Sequence, residues 1–156
     1  MRAAHRAHRH ARAAGHVQLP EPWRSMYARQ GAQGREGSAV LGVRTPPFDG
    51  IVVTVASLEA TPAGFRIEVD VRPGLLGWSA DLALGVPTIA WWARDDRGNF
   101  HLGEMGGWSG DGDRDTGEIE FSPGIDPKAT RLDLLPTADT ERAVIRVALE
   151  LLRVPG

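Results

Sequence analysis

The stretch "DGDRDTGE" places Asp111, Asp113 and Asp115 at alternate positions, with Glu118 three residues further on. Calcium takes six to eight hard oxygen ligands, and aspartates spaced by two along a turning loop can converge on one ion. The opening matches an EF-hand loop and then departs from it: Thr116 stands where the sharp turn requires glycine, and Ser122 where the bidentate glutamate belongs. A β-loop calcium site through Asp111, Asp113, Asp115 and Glu118 stays as the alternative. The preferred reading is a solvated hairpin turn, because Asp and Gly are the residues that turn chemistry selects.

Other residue sets suggest other chemistry. His5, His8 and His10 are spaced to hold Zn or Ni loosely, but no acid or thiolate lies beside them to complete a site. Arg2, Arg6, Arg9 and Arg12 could follow phosphates in a salt-dependent contact. They lack interleaved aromatics for base stacking, so a nucleic-acid accessory role through this arm ranks below a protein partner. Five tryptophans are present, and an exposed Trp beside a long side chain makes a natural hot spot. Trp78, Trp91, Trp92 and Trp108 are the exposed-Trp candidates, most of them expected in the core with Trp108 the exception, and Trp108, Met105 and Trp92 are the candidate ligand or partner contacts.

Catalysis has little to rest on. The chain has no cysteine, which removes thiolate nucleophiles, zinc-thiolate sites and disulfides. It has no nucleophile elbow, phosphate-binding glycine loop or His-Glu-x-x-His pair. His101 is the one histidine beyond residue 16, and it reads as a surface or hydrogen-bonded structural residue. Asp95 and Asp96 are adjacent at a turn, where two carboxylates seldom meet at one substrate atom. A non-enzyme without a cofactor is expected.

The elements that position these residues read as follows. A chain of 156 residues suits one domain. The net charge of −2 hides a polar division: residues 1–35 carry seven Arg against Glu21, and the acids are concentrated in the rest. Lys128 is the only lysine, and Ala and Gly are abundant, as in a GC-rich coding sequence. Residues 1–16 offer no apolar stripe that could dock a helix, so a disordered or loosely helical basic arm is expected. Residues 17–47, punctuated by Pro20, Pro22, "QGAQGREGS", Pro46 and Pro47, read as linker, with a short packed turn at Trp23, Met26 and Tyr27. No apolar run is long enough to span a bilayer, and a cytoplasmic location is expected.

From Ile51 the pattern changes to period two. In "FRIEVDVR", Phe65, Ile67, Val69 and Val71 alternate with Arg66, Glu68, Asp70 and Arg72, as in a strand with one wet face. The β-branched "IVVTVASLEA" pairs with it across the turn "TPAG". "AWWARD" and "FHLGEM" form a hairpin closed by Asp95, Asp96, Arg97 and Gly98. "GEIEFS" and "TRLDLLP" are further strands, and "RAVIRVALELLRV" reads as strand over helix. Residues 104–117 are read as the long loop on which a partner docks. About seven strands joined by turn residues predict an all-β domain over 48–154, a single immunoglobulin-like antiparallel β-sandwich.

The sequence "DDRGNFHLG", a glycine-rich segment, and then "GEIEFSPGIDPKATRLDLL", with Phe121, Pro123, Pro127, Ala129, Leu132 and Leu134 in order, resembles small actinobacterial β-sandwich proteins. The carboxy-terminal sandwich of some extracytoplasmic bacterial proteins is similar. The resemblance implies a fold and no activity. The functional expectation is therefore a binding or protein-interaction domain acting through residues 104–117.

Overall fold

The computed structural model describes residues 22–29, 31–73, 89–110 and 113–154. Trp78, Asp111 and the arm carrying His5, His8, His10, Arg2, Arg6, Arg9 and Arg12 lie outside the described residues. A short helix α1 (Trp23–Arg29) precedes eight strands: β1 (Gly37–Arg44), β2 (Val52–Thr61), β3 (Gly64–Arg72), β4 (Ala90–Asp95), β5 (Phe100–Gly110), β6 (Asp115–Ser122), β7 (Arg131–Thr137) and β8 (Ile145–Ala148). A single 3-10 turn, Leu149–Leu151, follows β8.

The all-β class expected from the alternation holds. All pairings are antiparallel, in the order β1-β2-β3-β6-β5-β4-β7-β8. The hairpin-connected trio β4-β5-β6 has β3 beside β6 and β7 beside β4, which makes two interlocked Greek keys. The described strands form one continuous sheet of eight, one strand more than the sequence pattern indicates. Its two ends meet where Ser38 and Arg153 exchange backbone hydrogen bonds of 3.0 and 2.8 Å, so the sheet wraps nearly into a barrel. Among the described residues no helix is long and apolar enough to cross a membrane.

The additional strand is β1, in a segment that reads as linker. Its signal is weak for a physical reason. Ala39 and Leu41 are only half-buried, Val40 is 91% exposed, and the register breaks between Val40 and Val43, where Gly42 adopts φ +61°. A bulged edge strand loses strict alternation, and its pairing is visible only once β2 lies beside it.

The interior follows from the alternation. Phe65, Ile67, Val69 and Val71 of β3 face inward opposite Phe121, Ile119, Gly117 and Asp115 of β6. Phe65 and Phe121 stack with ring centroids 4.6 Å apart, and Trp91 meets Phe121 edge-on at 6.4 Å. Gly103 makes this packing feasible: a Cβ there would lie 2.7 Å from Ile119 Cγ2 and 2.8 Å from Phe121 Cε2. Each fully buried Val, Leu, Ile or Phe contributes roughly 1.5–3 kcal/mol, which ties the sheet together without disulfides. Of the two adjacent tryptophans, Trp91 is buried and Trp92 half-buried, as strand alternation requires.

Candidate functional site

Residues 104–117 are largely strand rather than loop. β5 runs to Gly110 and pairs with β6 from Asp115 onward. The glycine-rich composition that reads as loop supplies a β-bulge instead: the register shifts between Met105 and Trp108, where Gly106 and Gly107 give the chain one extra residue. The bulge changes which way the following residues point.

Trp108 pairs with Gly117 across the hairpin, and its ring lies over that glycine, where a Cβ would come within 2.2 Å of Trp108 Cε3. The indole Nε1 donates to Asp115 Oδ2 at 3.1 Å. Asp115 is fully buried and sits in the inward row with Val71. Trp108 is therefore half-buried against the core. Met105 is 57% exposed. Trp92 is half-buried on the outer face, where Trp23 of α1 meets it edge-on at 5.6 Å. Much of Trp92 thus serves to seat α1, whose Met26 is fully buried.

Among the described residues, the candidate calcium ligands Asp115 and Glu118 do not come together. Asp115 points into the interior, while Glu118 lies on the opposite face of β6, within 3.7 Å of Arg66. Asp113 is exposed at the turn. Among the described residues no group of three acids or histidines is placed to hold a metal.

The outer surface of β2, β3, β6 and β5 is rich in carboxylates. Glu59, Arg66, Glu120 and Glu104 form one cross-strand row, and Arg66 bridges Glu59 at 3.1 Å. Asp70 pairs with Arg72 at 3.3 Å and with Arg114 from the hairpin turn. A groove of about 620 Å³ crosses this surface at the bulge, lined by Glu68, Asp70, Gly107, Trp108, Thr116 and Glu118 among others. A second depression of about 360 Å³ lies between Glu59, Arg66, Glu104 and Glu120.

His101 is fully buried. Its Nδ1 lies 2.7 Å from the Pro123 carbonyl oxygen; because a carbonyl only accepts, Nδ1 carries the proton and Nε2 is bare. Nε2 has no hydrogen-bond partner among the described residues, and Phe65 packs edge-on against the ring at 5.2 Å. Burial pushes the imidazole below its usual range, against the opposing effects of the Pro123 bond and Asp95, with Arg29 adding to the depression. This is a neutral structural histidine.

Asp95 and Asp96 do not form a catalytic pair. Asp95 is buried and accepts from the backbone N–H of Arg97 and Asn99, both at 2.9 Å, and from Asn99 Nδ2 at 2.8 Å, which is the Asx geometry that closes the β4–β5 turn. Asp96 accepts from the hydroxyl and the N–H of Thr130, and these bonds pull its pKa down to about 2. Each carboxylate fastens a separate part of the chain.

One cluster has no counterpart in the sequence reading. Asp133 on β7 is 2% exposed and is ringed by Arg94, Arg131 and Arg146. "TRLDLLP" shows Asp133 at a wet-face position, but only the register of β4, β7 and β8 brings the arginines around it.

No family model matches the chain, and no curated protein matches it. Among solved structures, it is similar to the crystal structure of a conserved domain protein from Bacillus anthracis, with a TM-score of 0.57 and 16% identity. The match covers 74% of this chain and 50% of that one, so the chain spans about half the length of the neighbour. At that identity the likeness concerns the fold alone.

Proposed function

We propose that the chain is a non-catalytic binding domain whose protein partner docks on the outer surface of the β5–β6 hairpin. The observation that carries this reading is the groove at the bulge, about 620 Å³, lined by Gly107, Gly117 and Trp108 beside Glu68, Asp70 and Glu118. Glycines let a ligand approach the backbone closely, and an aromatic edge next to polar groups is how binding clefts combine affinity with orientation. The carboxylates favour a partner segment carrying Lys or Arg.

The test is capture of partners by the immobilised full chain, followed by titration with Thr116→Arg and Glu118→Arg variants. The Thr116 change fills the groove and the Glu118 change reverses its charge. Loss of the captured partner with both variants supports the reading, whereas unchanged affinity with both sinks it. On the runs "DDRGNFHLG" and "GEIEFSPGIDPKATRLDLL" we also propose kinship with small actinobacterial proteins of immunoglobulin-like architecture, and superposition on an experimental structure of such a protein would test it.

A further inference from the structure

The outer surface of β4, β7 and β8 has the opposite character to the hairpin groove. Arg94 of β4 stands directly across from Asp133 of β7, which stands across from Arg146 of β8. Arg131 follows two residues before Asp133 on the same face. Three guanidinium groups thus surround one carboxylate, at 4.0 Å (Arg94), 3.5 Å (Arg131) and 3.6 Å (Arg146). Asp133 neutralises one of the three charges and leaves a local excess of two.

These are ion pairs without hydrogen bonds. Oδ1 of Asp133 is buried and accepts none among the described residues. A guanidinium offers five N–H donors, and the three side chains are 46%, 47% and 70% exposed. All three side chains therefore reach solvent, and Asp133 lies among their guanidinium groups. Asp95, next to Arg94, is committed to Arg97 and Asn99, and Asp96 to Thr130.

The same face carries aromatic surface. Phe100 of β5 pairs with Arg94, and Trp92 lies two residues along β4. Both are half-buried, so part of each ring remains in reach of a ligand.

We propose that this face binds single-stranded nucleic acid, with Arg94, Arg131 and Arg146 contacting successive phosphates and Phe100 contacting a base. Asp133 decides between a strand and a lone anion. It occupies the point on which the three guanidiniums converge and would repel a phosphate placed there. Anions are left with the outer edges of the separate guanidiniums, an arrangement that suits phosphates linked along a chain. Stacking on an aromatic adds affinity without sequence preference.

The experiment is fluorescence anisotropy of a labelled oligothymidylate of about twelve nucleotides titrated with the full chain between about 50 and 200 mM salt. Three phosphate contacts on a single strand give a log K against log[salt] slope of about −2 from this face. Changing Arg94, Arg131 or Arg146 singly to Gln should flatten the slope by about 0.7 each, and Arg146→Lys should restore it because the charge returns. Thermal melting of each variant establishes that it is folded. Phe100→Leu should weaken binding with the slope unchanged.

Several results would overturn the proposal. One is no binding at the lowest salt. Another is binding abolished only by replacing Arg2, Arg6, Arg9 and Arg12 while the three face variants keep the full slope. Displacement of the oligonucleotide by inorganic phosphate or a mononucleotide at equal phosphate concentration would make the site a single-anion site, and capture of heparin in preference to the oligonucleotide would make it a general polyanion surface.

Discussion

Acidification should destabilise this fold through His101. The imidazole is fully buried, donates from Nδ1 to the Pro123 carbonyl, and leaves Nε2 without an acceptor among the described residues. Protonating Nε2 would place a cation among Phe65 and its neighbours with nothing to receive the new N–H. The unfolded chain takes up that proton at its usual pKa of 6.5, whereas burial holds the folded-state value below it. The unfolded state therefore binds more protons in this range, and stability falls as pH falls.

The stabilisation is complete above about pH 7 and is lost progressively below 6.5, until the pH passes the lowered folded-state pKa. While the folded imidazole stays neutral, the loss approaches about 1.4 kcal/mol per pH unit. Urea unfolding at pH 8, 7, 6 and 5 would measure it in the full chain and in His101→Asn. The asparagine amide can still donate to Pro123 but does not titrate. The substitution should lower stability at pH 8 and remove most of the slope between pH 7 and 5. Parallel slopes in the two proteins would refute the assignment.

Other consequences of the packing are equally open to measurement. Gly103→Ala drives a methyl group against Ile119, Phe121 and Trp91, and overpacking of this kind should cost about 1–3 kcal/mol in denaturant unfolding. A neutral result would mean that the three side chains yield readily. Trp108→Phe keeps the ring over Gly117 but withdraws the indole donor from buried Asp115, with an expected loss of about 1.5–3 kcal/mol; the same change in Trp92 should leave Asp115 untouched. Calcium at about 1 mM should leave the melting temperature where EDTA puts it, because Asp115 and Glu118 occupy opposite faces of β6. A rise that Asp113→Asn abolished would show that the turn gathers ligands after all.

The strands that alternate cleanly were legible residue by residue. β3, with four apolar and four charged positions, needed no tertiary information, because a half-buried strand has no other way to satisfy its two environments. The β4–β5 turn was legible for a related reason: Asp95 accepts from backbone N–H groups within four residues, so its contacts are local. The 104–117 segment was misread because glycine marks both loops and bulges. Gly106 and Gly107 permit a twist in a paired strand, and composition alone does not say that β6 lies alongside. β1 was missed for the converse reason, since an edge strand with few core contacts has no strict pattern to show.

Sequence by itself determined the all-β class, the β2–β3 and β4–β5 hairpins and the split of Trp91 from Trp92, all of which depend on neighbours a few residues away. The strand order, the near closure at Ser38 and Arg153, the burial of Asp115 beneath Trp108 and the gathering of Arg94, Arg131 and Arg146 around Asp133 were decided only by tertiary structure. Each depends on register between strands far apart in the chain. Side chains alternate faces at every residue, so a shift of one position would turn Asp133 into the core and scatter its arginines. Register is set by the summed burial of whole strands, a quantity that no short motif contains.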